Sequence, residues 1–441
     1  MIAVIADDFT GAAELGGIGL RYGLQVEINT AVNARSNADL LIVSTDTRSM
    51  GRDEAAAEME RLTAALLPLN PVFLYKKVDS VLRGHVAAEM QAQMRVLGLT
   101  KALLIPANPR LDRTIRDGVY YLQGRPVHLS SFSHDPEYAI TSSDVLDMLG
   151  GAGENSIVIK KNTDPLPAEG IIVGEVSTTD DLVEWANRLD NDTFAAGASG
   201  FFSAVLDKIQ AGEAGNMGDA QLPLGAGRSS AGTARPSVGA GRPPLYSALT
   251  LGHPGLIVCG STFHQSRETI RKISGKGGPV SYMPAHLAAL RPDTEADYDG
   301  WADNVVALMR NTGRAIIAVN PADSADGPAA AGGSTALRAG EADASPAASG
   351  ATANAPGATA RLLRERTAKL VQKVFDRITV RELFIEGGST AHAILQQTGL
   401  HTFYPVEEMA AGVIRMRAGE NAALSVTVKP GSYTWPASAG I

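Results

Sequence analysis

Charged side chains follow the predicted strands of the first half of the chain, at the positions where each strand ends. Asp7 and Asp8 come directly after the apolar run Ile2–Ala6, and Lys77 comes directly after the run 72–76. Parallel strands end at one edge of a sheet, and ligands of open α/β sheets bind outside that edge. The sequence therefore predicts one polar binding site. Its predicted members are Asp8, Arg48, Lys77, Asp79, Ser80, Arg83, Asn108 and Arg110.

The residue types at these positions suit a small polyhydroxy anion. An arginine guanidinium presents a planar pair of donors to a carboxylate, and Asp or Asn side chains share hydrogen bonds with hydroxyl groups. Four strand ends are polar together, which favours a binding site over unrelated local roles. The simpler alternatives that stay open are a helix cap for Asp7 or Asp8, a local turn pair of Asp46 with Arg48, which is favoured for Asp46, and a structural ion pair of Asp79 with Arg83.

Small residues, and not charges, follow the predicted strands of the second half. Gly260 follows one strand, the sequence GGST at 387–390 follows another and begins a helix, and Gly431 follows the last. Backbone N–H groups at such turns can approach a phosphate closely, and a helix N-terminus adds a favourable dipole. Three such turns at one sheet edge predict a nucleotide site. The sequence contains neither GxxxxGK[ST] nor GxGxxG followed by a ribose-binding acid, so this site differs from both.

Apolar strands alternate with helical patterns in both halves, which indicates crossover connections and largely parallel sheets. We therefore predict an α/β fold with two domains, each a mostly parallel sheet flanked by helices, and an active-site cleft between them. Two stretches rich in Ala, Gly, Ser and Pro interrupt this pattern, and their composition favours disorder. The predicted units are a first domain at 1–210, a low-complexity linker at 211–250, and a second domain at 251–441 with a disordered insertion at about 321–360.

Composition excludes several classes of function. The net charge of −8 argues against nonspecific nucleic-acid binding, which needs a dense cationic surface. The single cysteine, Cys259, excludes an internal disulfide and lies in an apolar run, which predicts a buried core residue. No apolar run approaches the roughly 20 residues that span a membrane, and no signal-peptide pattern opens the chain, so the expected location is the cytoplasm. The sequence identifies no metal ligands and leaves a homodimer open.

Several motifs together resemble the four-carbon acid sugar kinase family. They are IADDFTGAAE, KKVDSVLRGH, IPANPRLDRTIRDGVYYLQGRPVH and SHDPEYAITSSDV in the first half, and VCGSTFHQS, FIEGGSTAHAIL and VKPGSYTWP in the second. The resemblance implies ATP-dependent phosphorylation of the terminal hydroxyl of a threonate, an erythronate or an oxo-tetronate. It also implies a sugar-acid-binding first domain, an ATP-binding second domain and, from the reaction class, Mg²⁺.

The resemblance also implies roles for single residues. Asp8 and Asp79 are the predicted catalytic residues, one of them accepting the proton of the hydroxyl, although the acidic partner could instead hold Mg²⁺. Arg83, with Arg48 or Arg110, would bind the substrate carboxylate. Ser389 and Pro430 depart from the family pattern, which often has Asp after the paired glycines and closes on a KSGNFG-like motif. The predicted ATP-binding residues are Ser261, Thr262, Gly387, Gly388, Ser389, Thr390, Gly412 and Gly431.

Two other functions fit the same residues. A metal-assisted hydrolase or aldolase acting on sugar acids would use Asp7 and Asp8 as ligands and would work without ATP. A non-catalytic sugar-acid sensor or binding protein with two α/β lobes would need no phosphate-binding turns. The Gly-rich and Ser-rich strand ends of the second half favour the kinase over both.

Overall fold

The computed structural model describes residues 1–135, 137–150, 157–215, 253–260, 264–289, 291–319 and 356–439. The predicted linker from residue 216 onward and the predicted insertion up to residue 355 lie outside the described residues. The strands of the first half are β1 (Ile2–Ala6), β2 (Val26–Asn29), β3 (Leu40–Ser44), β4 (Phe73–Lys77), β5 (Lys101–Ile105), β6 (Arg113–Arg116), β7 (Val119–Leu122), β8 (Arg125–Pro126), β9 (Ile157–Lys160), β10 (Gly170–Gly174) and β11 (Thr193–Gly197).

Helices alternate with the strands in both halves. The second-half strands are β12 (Gly255–Cys259), β13 (Val280–Tyr282), β14 (Arg314–Ala318), β15 (Glu382–Glu386), β16 (Thr402–Ala410), β17 (Val413–Ala418) and β18 (Ser425–Lys429). The helices are α1 (Phe9–Arg21), α2 (Arg52–Leu66), α3 (Val86–Leu97), α4 (Val145–Met148), α5 (Thr179–Asn187), α6 (Ser199–Gly215), α7 (His264–Gly275), α8 (Ala285–Ala288), α9 (Glu295–Thr312), α10 (Pro356–Phe375) and α11 (Gly388–Gln397). No helix within these described ranges is long and apolar enough to span a membrane.

The first half is a parallel sheet covered on both faces. Its strands lie in the order β2-β3-β1-β4-β11-β5-β10-β9, and every neighbouring pair is parallel. Strands such as β1 and β3 are buried along their whole length, as expected when helices lie on both faces. Since these strands all run in one direction, their carboxyl ends lie at one edge, as the sequence predicted.

The second half repeats this architecture and adds a hairpin. Strands β13, β14, β12, β15 and β18 lie side by side and are parallel, which confirms the predicted α/β class. Strand β17 then pairs antiparallel with β18, and β16 pairs antiparallel with β17. The register of β16 with β17 shifts between Pro405 and Glu407 and again between Glu408 and Ala410, which indicates bulges that increase local twist.

The sheets of the two halves join edge to edge. Strand β16 pairs antiparallel with β2, with Phe403 opposite Ile28, so that 15 of the described strands form one sheet, while β6, β7 and β8 form a separate three-stranded sheet. Helix α1 covers this join, and the Phe9 ring packs edge-on against Phe403 with 5.1 Å between centroids. Gly17 in α1 lies against Ile414 of β17, where a Cβ would be 2.4 Å from the Ile414 Cδ1 atom. The sequence did not predict this join. The join fixes how the two halves face each other.

Candidate active site

Asp8 lies where the two halves of the protein touch. It is the N-cap of α1, because its Oδ1 accepts the backbone N–H of Gly11 at 2.7 Å and its Oδ2 accepts the hydroxyl of Thr10 at 2.7 Å. Gly388, the first residue of α11, packs against the same carboxylate, since a Cβ built there would lie 2.3 Å from Asp8 Oδ2. Two helices therefore begin at one carboxylate, whose negative charge their dipoles stabilise.

Arg48 links three carboxylates at this sheet edge. Its Nη2 lies 2.9 Å from Asp8 Oδ2 and 3.4 Å from Asp7 Oδ2, and its Nη1 lies 3.5 Å from Asp79 Oδ1. Burial acts to raise the pKa of Asp8, but the neighbouring cations, Arg48 first, outweigh it and hold that pKa below its usual value. Asp46, the local turn partner that the sequence favoured, is therefore not the main partner of Arg48, which binds the other three carboxylates.

Asp79 is held through both carboxylate oxygens by Arg83. Arg83 donates from Nη2 to Asp79 Oδ1 at 2.8 Å and from Nε to Asp79 Oδ2 at 3.0 Å, while its Nη1 donates to Asp135 Oδ2 at 2.7 Å. Burial acts to raise the pKa of Asp79, but Arg83 and Arg48 hold it far below its usual value. The ion pair left open by the sequence is thus present. It occupies two of the five N–H donors of Arg83, and Asp135 occupies a third.

A third guanidinium, which is not among the predicted site residues, reaches the same place. Arg113, the first residue of β6, donates from Nη1 to the hydroxyl of Ser80. The guanidinium carbons of Arg83 and Arg113 lie 5.1 and 5.9 Å from the centroid of the Phe132 ring. Within the described part of the chain, Arg113 Nε is buried without a hydrogen-bond partner. Two arginines beside one ring can bind a planar carboxylate.

Lys77 completes the charged cluster on the side of α1. It is buried at the end of β4, and its Nζ donates to the carbonyl of Val78 at 3.0 Å and lies 3.9 Å from Glu14 Oε2. A Cβ built on Gly11 would lie 3.0 Å from this Nζ, so the ammonium group faces the first turn of α1. Its positive charge contributes to the lowered pKa of Asp8.

The remaining predicted residues of the first half have different positions. Asn108 is buried after β5 and donates to the hydroxyl of Ser199 at 3.1 Å, while its Oδ1 has no partner among the described residues. Arg110 is exposed, and its positive charge acts to lower the pKa of Tyr22, the residue that follows α1. Arg110 therefore lies apart from the cluster around Arg48, whereas Ser80 and Lys77 belong to it.

The Gly-rich turn at 387–390 connects β15 to α11. Its first residue, Gly387, has a φ of +97°, a backbone conformation that glycine adopts without steric cost. Ser389 Oγ lies 3.5 Å from Ser49 Oγ of the first half. Because residue 388 has no side chain, the first N–H groups of α11 approach the charged cluster directly.

The strand ends beside this turn pack tightly. A Cβ built on Gly260, directly after β12, would lie 2.2 Å from Thr390 Oγ1, so the end of β12 is in direct contact with the first turn of α11. Gly431 lies in the turn after β18. Ser261 and Thr262, both predicted to bind ATP, lie outside the described residues.

Gly412 has a structural reason to be glycine. It has a φ of +72° in the turn between β16 and β17, and a Cβ there would lie 2.5 Å from the Tyr433 ring. Both the backbone conformation and the ring exclude a side chain at this position. Its predicted contact with ATP stays a prediction.

A buried ion pair lies at the end of β15, directly before the Gly-rich turn. Lys429 Nζ lies 3.2 Å from Glu386 Oε2, and the Trp435 indole N–H donates to the same oxygen at 3.2 Å. The hydroxyl of Ser266 donates to the other oxygen, Oε1. Cys259 pairs with Glu386 in the sheet and is buried, which confirms its predicted core position. The last residue of β15 is therefore fixed from three elements.

Asp46 lies beside an ion pair that crosses between the halves. Its Oδ1 is buried without a hydrogen-bond partner in the described part of the chain. Burial raises the pKa of Asp46 to about 7, an effect that the charge of Arg364 on α10 only partly offsets. Arg364 in turn pairs with Glu137 of the first half. Asp46 is thus an interface residue and not only part of a local turn.

The arrangement suits a reaction between a phosphate donor and a small acid. The start of α11 can bind phosphate through its N–H groups and dipole, and it lies against the cluster of Asp7, Asp8, Arg48 and Asp79. Over the described ranges, no three His, Cys, Asp or Glu side chains are grouped so that they could hold a metal ion on their own.

Comparison with known proteins identifies both halves. A model described as sugar-binding N-terminal domain matches residues 2–205, and one described as nucleotide-binding C-terminal domain matches residues 256–433. A D-threonate kinase of Bordetella bronchiseptica is 37% identical over 34% of this chain and 39% of its own length. A D-threonate kinase of Salmonella typhimurium is 32% identical over 33% and 35%, so these alignments span well under half of each relative. A 3-oxo-tetronate kinase of Methylobacterium radiotolerans is 27% identical over 98% and 96%.

Solved structures share the fold along nearly the whole chain. A protein of Salmonella typhimurium described as a putative tRNA synthase superposes with a TM-score of 0.65 at 15% identity, covering 98% of this chain and 96% of that one. A Haemophilus influenzae protein superposes with a TM-score of 0.60 at 16% identity, covering 98% and 97%. At such identities the likeness concerns the α/β fold alone. By its two matched domains and its full-length relative, the chain belongs to the four-carbon acid sugar kinase family.

Proposed function

We propose that this protein is an ATP-dependent kinase that phosphorylates the terminal hydroxyl of a four-carbon sugar acid, such as threonate, erythronate or an oxo-tetronate. The observation that carries the proposal is the contact of Gly388 with Asp8, which sets the start of α11 against the charged cluster of the first half. The D-threonate kinases and the 3-oxo-tetronate kinase among the relatives support this substrate class.

Phosphoryl transfer requires positioning and charge neutralisation more than covalent chemistry. The N–H groups at the start of α11 bind the phosphates of ATP. Arg113, together with Arg83 and Arg48, binds the carboxylate of the sugar acid. The carboxylates of the cluster orient the terminal hydroxyl toward the γ-phosphate. Mg²⁺ would neutralise the charge of the ATP phosphates.

Contacts between the halves exclude water from the reacting groups. Ser49 and Ser389 approach each other at 3.5 Å beside Asp8, and Arg364 pairs with Glu137. Excluding water strengthens the electrostatic interactions of the site and prevents hydrolysis of ATP. We further propose that the protein works in the cytoplasm with the sugar acid and ATP as its small-molecule partners, and a homodimer stays a prediction.

An ATP-consumption assay with a panel of four-carbon to six-carbon sugar acids tests the activity. Each epimer of threonate and erythronate and the oxo-tetronates are supplied singly with ATP and Mg²⁺. We expect ADP formation that depends on one or a few of these acids, and a phosphomonoester at the terminal carbon of the product. Absence of turnover above background with every acid would refute the kinase assignment.

Thermal stabilisation by ligands separates the kinase from the other two functions. A ligand that binds only the folded protein stabilises it according to its concentration relative to its dissociation constant. We expect stabilisation by a non-hydrolysable ATP analogue, by the sugar acid, and more strongly by both together. A sensor or binding protein would respond to the sugar acid alone. A metal-assisted hydrolase or aldolase would consume the sugar acid without ATP.

A further inference from the structure

Three carboxylates converge on Arg48, and their hydrogen-bond partners differ. Asp8 is engaged on both oxygens, Oδ1 by the Gly11 N–H at 2.7 Å, and Oδ2 by the Thr10 hydroxyl at 2.7 Å and by Arg48 at 2.9 Å. A carboxylate that caps a helix and pairs with an arginine is stabilised in its charged form. Asp8 is therefore poorly suited to take up a proton during the reaction.

Asp79 is engaged even more completely. Its Oδ1 accepts Arg83 Nη2 at 2.8 Å, and its Oδ2 accepts Arg83 Nε at 3.0 Å, the Arg83 backbone N–H at 3.1 Å and the Val81 N–H at 3.2 Å. Such a bidentate pair with further N–H donors stabilises the carboxylate strongly. Protonating Asp79 would break this arrangement, so its role is to position Arg83.

Asp7 has one oxygen held and one oxygen free. Its Oδ2 accepts the backbone N–H of Asp79 at 3.1 Å and lies 3.4 Å from Arg48 Nη2. Its Oδ1 is buried and has no hydrogen-bond partner among the described residues. A buried acceptor without a donor costs about 1–3 kcal/mol, and such an atom in a native protein calls for a ligand or another explanation. A hydroxyl of a bound substrate would supply the missing donor.

We infer that Asp7 is the catalytic base, with its Oδ1 accepting the proton of the terminal hydroxyl of the sugar acid. The inference rests on the proposed kinase function and deepens it. The hydroxyl oxygen forms the new bond to the γ-phosphorus while the bond from the γ-phosphorus to the β–γ bridging oxygen breaks, and that electron pair stays on ADP. The hydroxyl proton moves to Asp7 Oδ1 and leaves to solvent after product release, so that charge and atoms balance.

The surroundings of Asp7 are consistent with this role. Burial raises the pKa of Asp7, whereas the pKa values of Asp8 and Asp79 are lowered. A general base works best when its pKa lies near the working pH, and the pKa of a free carboxyl group lies well below that pH. The charged groups that face Asp7 are Arg48 after β3, Asp8 after β1, and Lys76 and Lys77 on β4. Lys76 is itself paired with Glu89 of α3, so its charge is largely compensated.

The test is Asp7→Asn, with Asp79→Asn as the matched variant. Asparagine keeps an oxygen for the Asp79 N–H but cannot take up the proton. We expect kcat to fall by about 10²–10⁴-fold, with KM for ATP and for the sugar acid within a few-fold of wild type. Stabilisation by the ATP analogue and by the sugar acid should persist. In Asp79→Asn, the loss of the Arg83 pair should instead raise KM for the sugar acid.

The pH dependence of kcat gives a second readout that needs no folded variant. In the wild-type protein, kcat should fall on the acid side as Asp7 becomes protonated, and Asp7→Asn should lack this acid limb. A wild-type kcat that does not fall toward acid pH over the range in which the protein stays folded overturns the inference, even if Asp7→Asn fails to fold.

Other outcomes are equally decisive. An Asp7→Asn kcat within threefold of wild type overturns the inference and leaves the kinase function standing. Recovery of kcat at high Mg²⁺ makes Asp7 a metal ligand, and a rise in KM alone makes it a binding residue, so either result also overturns it. If wild-type protein phosphorylates no sugar acid, the proposed function fails and this inference fails with it.

Discussion

Replacing Gly388 with alanine tests whether the two halves meet at Asp8. A Cβ at this position would lie 2.3 Å from Asp8 Oδ2 and 2.9 Å from Asp8 Cγ, well inside contact distance. Asp8 cannot move away easily, because Thr10, Gly11 and Arg48 hold it at 2.7, 2.7 and 2.9 Å. The substitution therefore forces the start of α11 away from the charged cluster.

The size of the effect follows from two opposed contributions. Alanine in place of glycine favours a helix by about 0.5–1 kcal/mol, whereas overpacking a tight contact costs about 1–3 kcal/mol. We expect Gly388→Ala to destabilise the protein by about 1–2 kcal/mol. A displacement of about 1 Å between the phosphates and the hydroxyl can cost about 10²-fold. We therefore expect kcat/KM for phosphorylation to fall by about two orders of magnitude.

Thermal unfolding and steady-state kinetics measure both effects, with Gly300→Ala as the control. Gly300 lies within α9, is exposed, and a Cβ there would meet nothing within 4 Å. Gly300→Ala should raise stability by about 0.5–1 kcal/mol and leave the kinetics unchanged. If Gly388→Ala behaves like Gly300→Ala in both assays, the contact between α11 and Asp8 does not exist in the active protein and the reasoning is wrong.

Three further substitutions probe other parts of the site. Burial raises the pKa of Asp46 to about 7, so the folded protein favours the protonated carboxyl group, and the stability that this group contributes is lost as pH rises from about 4 through 7. Asp46→Asn should therefore be more stable than wild type at pH 8, by up to about 4 kcal/mol, and nearly equal to it below pH 4, as measured by unfolding at each pH. Arg113→Lys should raise KM for the sugar acid by about 10–100-fold with little change in kcat, because a charged hydrogen bond is worth about 1.5–3 kcal/mol; an unchanged KM would remove Arg113 from the site. Lys429→Met should destabilise by about 3–5 kcal/mol by leaving Glu386 buried and uncompensated, and adding Glu386→Gln should restore most of this loss; equal unfolding midpoints for the single and double variants would contradict the role of the pair.

The parallel strands were predictable because each is a short apolar run bounded by Gly, Asp or Pro. Strands that are buried on both faces of a sheet are typically continuous apolar runs of this kind, and β1, β12 and β15 lie where this pattern predicts strands. The hairpin of β16 and β17 was not predicted, since β16 reads TFYPVEEMA and contains proline, bulges and alternating exposure. Its pairing with β2 involves few residues and depends on long-range packing that a local pattern does not encode.

The structure brings several of the predicted site residues together and adds residues that were not predicted. Asp8, Arg48, Asp79 and Ser80 converge because they follow neighbouring strands, a property that strand order alone determines. Arg113 was passed over because it lies on a hairpin strand behind the sheet edge, although its sequence, RLDRTIR, is unusually cationic. The path of the backbone decides which oxygen of Asp7 accepts an N–H group and which oxygen has no donor. The residue type alone does not reveal this.

The twist of the sheet explains how the two halves can face each other at all. Across the sheet from β1 to β15, three pairs of neighbouring strands are antiparallel: β2 with β16, β16 with β17, and β17 with β18. In a flat sheet, β15 would therefore end at the edge opposite to the end of β1, far from Asp8.

Six steps between neighbouring strands, each rotated by about 20–25°, accumulate roughly 120–150° of rotation. The bulges of β16 add to this twist. The accumulated rotation offsets most of the reversal and turns the carboxyl end of β15 toward that of β1, where Gly388 contacts Asp8. An even number of antiparallel pairings would leave the two ends facing apart after the same twist. The hairpin of β16 and β17 leaves the number of these pairings odd, and it supplies two of the six steps, or about 40–50° of the rotation that brings the two strand ends together.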